Sequence, residues 1–205
     1  MTTWYVARAG GMMAFAILTA SICVGLALSG RARLRNWPRF ALEDAHRFLG
    51  LLAGFFVALH VGVLLFDNYM PFSLAELLVP GLSTFRPVPT ALGVVALELL
   101  VALALTSHYR QRIPYRLWRG AHTLNFGVWA LSLVHGIGSG TDTTRAWALG
   151  LYAVSTAVVA GLMAWRLLRN RSYESWALRL WPATAAVVAA ELVVALSLGP
   201  FHHGA

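Results

Sequence analysis

The chain has little charge, a single cysteine and no lysine. Charged residues make up 12% of its 205 residues, and all 16 basic residues are arginine. One cysteine, Cys23, excludes an internal disulfide framework and a CxxC redox motif, and its apolar surroundings favour a packing role. A GxGxxG dinucleotide fingerprint is also absent. Any redox chemistry here must therefore come from a cofactor.

Apolar residues dominate the remainder of the sequence. They account for 59% of the chain, and the mean hydropathy is +0.66, as is typical of integral membrane proteins. The net charge of +8 therefore does not indicate nucleic-acid binding. A membrane-spanning helix needs about 20 apolar residues, which predicts an all-α integral membrane protein, a six-transmembrane-helix bundle forming a single domain over residues 1–205. The six segments are 10–29, 43–66, 88–107, 117–138, 145–168 and 181–199.

Arginines cluster in alternate connections between these segments. The clusters follow the first, third and fifth segments, so they lie on one side of the membrane because each span reverses direction. Positive charge is typical of cytoplasmic loops. We therefore predict a multi-pass protein of the cell inner (plasma) membrane, embedded in the lipid bilayer with both termini outside.

Four histidines lie inside the second and fourth segments, where ionisable side chains are costly. His46 and His60 are 14 residues apart, or about 21 Å along a helix. His122 and His135 are 13 residues apart, or about 20 Å. Both helices run outward, which places one histidine of each at an inner level and one at an outer level. Because neutral imidazole is a common iron ligand, two bis-histidine haems between helices 2 and 4 are expected.

The two helices differ in how they rotate their histidines. Fourteen residues turn a helix by about 320°, so His46 and His60 share a face. Thirteen residues turn it by about 220°, which separates His122 from His135. We expect a bend near Gly127, or laterally offset haems, to reconcile the second pair.

Several arginines and one tryptophan lie near the two histidine levels. Arg47, Trp118 and Arg119 at the inner level are candidate contacts of haem propionates, although each also suits the role of an interfacial anchor. Near the outer level only Arg86 and Arg145 are available. The sequence leaves both interpretations open.

Three further features have two interpretations each. The outer loop 67–87 is either a cap over the outer haem or a docking surface for an acceptor. Glu98 and Glu191 lie inside apolar segments, where each is either protonated and hydrogen-bonded to a neighbouring helix or part of a proton path.

The histidine motifs resemble those of the ferric reductase-like transmembrane domain superfamily. They are H-x13-H from His46 to His60 and H-x12-H from His122 to His135, with YRLWRGAHTLNF at 115–126. NADPH oxidases, ferric reductases and the haem-binding membrane subunit of bacterial methionine sulfoxide reductase look similar. The resemblance covers about residues 10–168 and leaves 181–199 as an additional C-terminal helix. It implies two b-type haems, the inner with axial ligands His46 and His122. The outer haem would have His60 and His135.

The resemblance also implies a direction of electron transfer, from a cytoplasmic-side donor to an outer-side acceptor. Members usually carry a cytoplasmic flavin and nicotinamide domain, and we expect none in this chain. We therefore expect a haem subunit of an oxidoreductase whose donor is a separate flavoprotein, a bound flavin such as FMN, or a membrane quinol. An outer redox partner or a small molecule would be the acceptor. The alternatives are a stand-alone haem enzyme that reduces ferric iron or oxygen, and a haem-free metal or proton transporter. Histidine levels about 20 Å apart disfavour a shared metal ion.

Overall fold

Five of the six predicted segments are helical in the computed structural model, which describes residues 2–30 and 37–169. A short 3-10 turn, Arg110–Arg112, lies between the helices Pro87–His108 and Tyr115–Thr123. No strand occurs in the described ranges, so this part of the chain is all-α. The predicted sixth segment, with Glu191, lies outside them. The helices are α1 (Thr2–Ser29), α2 (Arg39–Leu64), α3 (Leu74–Leu78), α4 (Pro87–His108), α5 (Tyr115–Thr123), α6 (Asn125–Ser139) and α7 (Ala146–Arg169).

Four of these helices, α1, α2, α4 and α7, are long and apolar enough to cross a membrane. The longest, α1, has 28 residues, or about 42 Å. Pro87 and Pro89 lie in the first turn of α4, where a missing N–H breaks no helical hydrogen bond. The chain is a helical membrane protein, and five of its apolar segments account for the described helices other than α3.

The described helices assemble around α1, which packs against α2, α6 and α7, while α4 packs against α6. The ring of Phe15 in α1 lies 6.0 Å from that of Trp129 and 5.3 Å from that of Tyr152. Trp129 Nε1 donates a buried hydrogen bond of 2.9 Å to Thr19 Oγ1. These contacts join α1, α6 and α7 into one core and satisfy the indole N–H away from water.

Helix α2 is the least covered of the long helices. It packs mainly on α1, and its outward side exposes Phe48, Leu51 and Phe55, with Leu51 at 77% exposure. Apolar side chains of this kind suit contact with lipid tails. A gap between α2 and α6 remains, and the histidines point into it.

The predicted fourth segment, 117–138, is not one helix but two. It breaks at Leu124, three residues before the bend expected near Gly127. Thr123 Oγ1 donates to the Gly120 carbonyl at 2.7 Å, and Asn125 Nδ2 donates to the His122 carbonyl at 2.8 Å. These side chains occupy carbonyls that the helix would otherwise use, which interrupts it. Because of the break, the 13-residue spacing no longer fixes the angle between the two histidines.

Candidate functional site

The four predicted histidines meet in two pairs across the gap between α2 and the α5–α6 unit. The ring centres of His46 and His122 lie 5.9 Å apart, with an interplanar angle of 82°. Those of His60 and His135 lie 6.2 Å apart at 71°. The inner and outer levels expected from the sequence are therefore two facing imidazole pairs.

Both ring separations suit two imidazoles bound to opposite sides of one metal ion. With metal–nitrogen bonds of about 2.0–2.1 Å, the two ring centres of such a pair lie roughly 6 Å apart. Close packing of α2 on the α5–α6 unit does not set the separation of the ring centres, since α2 packs mainly on α1. The donor set at each level thus fits the two axial positions of a haem iron.

Backbone carbonyls hold three of the four rings at Nδ1. His60 Nδ1 lies 2.7 Å from the Ala7 carbonyl oxygen, and His46 Nδ1 lies 2.9 Å from that of Ser21. His135 Nδ1 makes a third such bond, 2.9 Å long, to a carbonyl in the first turn of α4. A carbonyl can only accept, so Nδ1 carries the proton and Nε2 keeps the lone pair that binds a metal.

The fourth histidine, His122, has a different neighbour. Asn125 Nδ2 lies 3.4 Å from its Nδ1, and the indole of Trp118 stacks on its ring at 5.1 Å and 22°. His122 therefore has side-chain neighbours where the other three have helix carbonyls.

Glycines bring the helices close to the histidine rings. A Cβ atom at Gly11 would lie 3.1 Å from His60 Nδ1, and one at Gly25 would lie 3.2 Å from His46 Cε1. At Gly93 of α4, a Cβ atom would overlap the ring of the outer histidine of α6, with Cε1 of that ring 2.6 Å away. Sequence analysis missed these residues, yet Gly11 and Gly25 are 14 residues apart, the same spacing as the histidines that they face.

The family model described as ferric reductase like transmembrane component matches residues 10–133, more than half of the chain. The chain belongs to this family. Membership in the ferric reductase-like family indicates a transmembrane redox component. The matched span contains three of the four paired histidines and ends two residues before His135. No curated protein and no solved structure matches the chain significantly.

A mostly apolar cavity opens beside the outer histidine pair of this ferric reductase-like domain. It is lined by both outer histidines and by Gly11, and also by Phe72, Leu77 and Phe85 of the outer loop. The loop 67–87 thus forms part of the cavity wall. An apolar wall of this kind excludes water from a bound group.

Arg8 also lines this cavity, although sequence analysis did not single it out. Its guanidinium forms an ion pair with Asp142, and its Nε is buried without a hydrogen-bond partner. Arg86, considered at the sequence level, instead donates to the carbonyl oxygens of Gly138 and Gly140 at 2.7 and 3.3 Å. Arg8 is therefore the cation that faces the outer site, while Arg86 secures the end of α6.

The three candidates at the inner level differ in position. Trp118 touches His122, and its Nε1 is buried without a hydrogen-bond partner. Arg119 donates from Nη1 to a tyrosine hydroxyl of α5 at 2.8 Å. Arg47 is exposed and pairs with Asp44 at 3.4 Å, one turn earlier on α2. Trp118 thus stacks on a paired histidine.

Two acidic residues order the outer loop. Ser73 and Glu76 form a capping box at the start of α3, and hydrogen bonds from the Ser73 backbone and side chain lower the pKa of Glu76. Burial raises the pKa of Asp67, but hydrogen bonds from Thr3 Oγ1 and from nearby backbone N–H groups outweigh it, so the net pKa is lowered. Both carboxylates are thus stabilised in the charged form.

Proposed function

We propose that this chain is a dihaem b-type electron-transfer subunit of the membrane. The proposal rests on one observation, the two facing histidine pairs with ring centres 5.9 and 6.2 Å apart. In it, His46 and His122 are the axial ligands of the inner iron. His60 and His135 are the ligands of the outer iron.

Haem iron, when bound, cycles between ferric and ferrous states and carries one electron at a time. The chain would hold each iron from both sides, fix ring orientation through the Nδ1 hydrogen bonds, and exclude water through the apolar walls. With a histidine of this chain on each side, neither iron would have an open position. Electrons would then leave through the porphyrin edge rather than through a ligand bound to iron.

The polar residues at each level support this proposal. Haem propionates need cationic or hydrogen-bonding partners near a membrane interface. Trp118 Nε1 at the inner level and Arg8 Nε at the outer level are buried donors without partners in the described chain. We assign both to propionate contacts, with Arg119 and Arg47 as more peripheral inner candidates.

The resemblance to the ferric reductase-like family implies the direction of transfer, and the arginine-rich connections, which we place on the cytoplasmic side of the inner membrane, indicate which histidine level is the inner one. Electrons would enter at the inner haem from a separate flavoprotein, a bound FMN or a membrane quinol. They would pass to the outer haem and then to an outer redox partner or a small acceptor.

The test is a reduced-minus-oxidised optical spectrum of the purified full chain, with haem content per chain. We expect low-spin b-type bands and two haems in the wild type, and about half of the signal in His60→Ala and in His122→Ala. His108→Ala, at the end of α4 and outside both pairs, is the control and should keep both haems. Absence of haem from a folded wild-type preparation would rule the proposal out.

A further inference from the structure

A second cavity lies at the outer ends of the described helices, next to the cavity beside the outer histidine pair. Its volume is about 320 Å³, which suits one small ring system. Aromatic side chains from the start of α1 and from the outer loop make up most of its wall, and they are Trp4, Tyr5, Tyr69 and Phe85. A wall of this kind suits a planar aromatic ligand.

Contacts within the protein order this aromatic wall. The ring of Trp4 lies 6.1 Å from that of Tyr69, at 53°, and 6.3 Å from that of Phe85, at 88°. Asp67 fixes the loop beside these rings, because its Oδ1 accepts hydrogen bonds from Thr3 Oγ1 at 2.8 Å and from the Tyr69 N–H at 3.1 Å. The wall is therefore formed in advance, which lowers the entropic cost of binding a ligand.

The second cavity carries little net charge. Of the described residues that line it, only Arg8 is charged, and its guanidinium is paired with Asp142. A polyanionic ferric chelate would gain little attraction from a cation whose charge is already balanced. The hydroxyl groups of Tyr5, Tyr69 and Thr141 can instead donate to a neutral carbonyl oxygen. The cavity thus favours an uncharged planar ligand that carries carbonyl groups.

The two cavities share part of their walls. The residues that line both are Trp4, Arg8, Phe85 and Thr141. A ligand in the second cavity would therefore lie against side chains that also border the group held by the outer histidines. If that group is a haem, electrons that leave through the porphyrin edge arrive at this shared wall.

We propose that the second cavity binds a quinone as the outer electron acceptor, an inference that rests on the proposed function. Haem iron supplies one electron at a time, and a quinone accepts electrons singly. Two oxidations of the outer iron from ferrous to ferric, with two protons from the outer solvent, convert one quinone to its hydroquinone. Tyr5 and Tyr69 line the cavity and are 59% and 54% exposed, so a quinone can enter past them from the membrane interface.

Binding is measured first, without electron transfer. Menadione, a neutral naphthoquinone, is titrated calorimetrically into the oxidised full chain in lipid nanodiscs, and empty nanodiscs give the blank for partition into lipid. We expect saturable binding of one molecule per chain. Tyr69→Leu alters a residue that lines the second cavity but not the first, and it should weaken binding about 10-fold, because an aromatic contact and a hydroxyl donor are lost.

Phe66→Leu is the matched control. Phe66 lies three residues before Tyr69, is 76% exposed and lines neither cavity. The Phe66→Leu variant should bind menadione as the wild type does.

Electron transfer is measured second. The chain is reduced with dithionite and mixed anaerobically with menadione, and haem oxidation is followed optically. The rate should saturate with menadione, and Tyr69→Leu should raise the half-saturating concentration about 10-fold while both haems are retained. With ferric citrate as the oxidant, the wild type and Tyr69→Leu should react at the same rate.

Three results would overturn the inference. They are no saturable binding of menadione, equal binding by Tyr69→Leu and the wild type, and an effect of Tyr69→Leu on ferric citrate but not on menadione. Failure of the proposed function looks different. A folded chain that lacks haem yet binds menadione through Tyr69 would refute the dihaem proposal and leave the binding site standing, whereas a dihaem chain that does not bind menadione would refute this inference alone.

Discussion

Gly93 of α4 faces the imidazole of His135 so closely that a Cβ atom at this glycine would lie 2.6 Å from Cε1 of the ring. The same ring is bonded at Nδ1 to the carbonyl oxygen of Pro89, one turn earlier on α4. One turn of α4 therefore fixes the ring by a hydrogen bond and by close packing. A larger side chain at position 93 has no room unless the ring moves.

Gly93→Ala should remove the outer haem and leave the inner one. The added methyl group must displace the imidazole of His135. The atoms that it would meet belong to a rigid ring and not to the end of a flexible side chain. Haem content should fall to about one per chain, with the spectrum of the remaining haem unchanged. Gly150→Ala on α7, where a Cβ would meet nothing within 4 Å, should keep both haems.

Substitutions at the two glycines of α1 should each affect haem retention at one histidine level and not at the other. Gly25→Ala should weaken retention of the inner haem, and Gly11→Ala that of the outer haem, since each Cβ would press on a different histidine ring. We expect about 10–100-fold weaker haem retention at the affected level, as for other residues that support metal ligands. Haem dissociation to a scavenging apoprotein measures it. Equal loss from both levels in either variant would contradict the assignment.

Trp118→Phe should lower the midpoint potential of the inner haem. Phenylalanine keeps the stacking on His122 but removes the buried indole N–H, so a propionate loses a hydrogen bond and its charge is less compensated. Loss of about 1 kcal/mol corresponds to about 40 mV for one electron. Redox titration monitored optically gives the value, and the outer haem serves as the internal reference. An unchanged inner potential would remove Trp118 from the propionate contacts.

The outer loop should loosen in acid through Glu76. Its pKa is lowered in the folded protein by hydrogen bonds from Ser73, so its stabilising effect is complete above the ordinary value of about 4.3. That effect is lost as the pH falls through the lower, folded pKa. The melting temperature of the wild type should therefore approach that of Glu76→Gln between about pH 5 and pH 3. A constant difference between the two proteins across this range would refute the linkage.

The sequence predicts the main helices and the histidine levels because both depend on periodicity and on membrane thickness. The break lies at Leu124, three residues before Gly127, near which the spacing of the histidines predicts a bend. The side-chain bonds of Thr123 and Asn125 that produce it depend on local geometry, which periodicity does not describe. Arg8 was missed because its role depends on Asp142, 134 residues further along the chain. The carbonyls that orient the rings belong to the backbone, so the identity of a residue does not reveal them.

The supports on α1 repeat at the same interval as the ligands on α2. The carbonyls of Ala7 and Ser21 are 14 residues apart, and so are the two histidines that they bind. One continuous helix of 28 residues therefore acts as a ruler for the vertical distance between the two histidine pairs. A thicker or thinner bilayer can tilt that ruler but cannot stretch it. If the two pairs hold haems as proposed, the distance between the two irons is set by the rise of one helix, independently of the lipid around the protein.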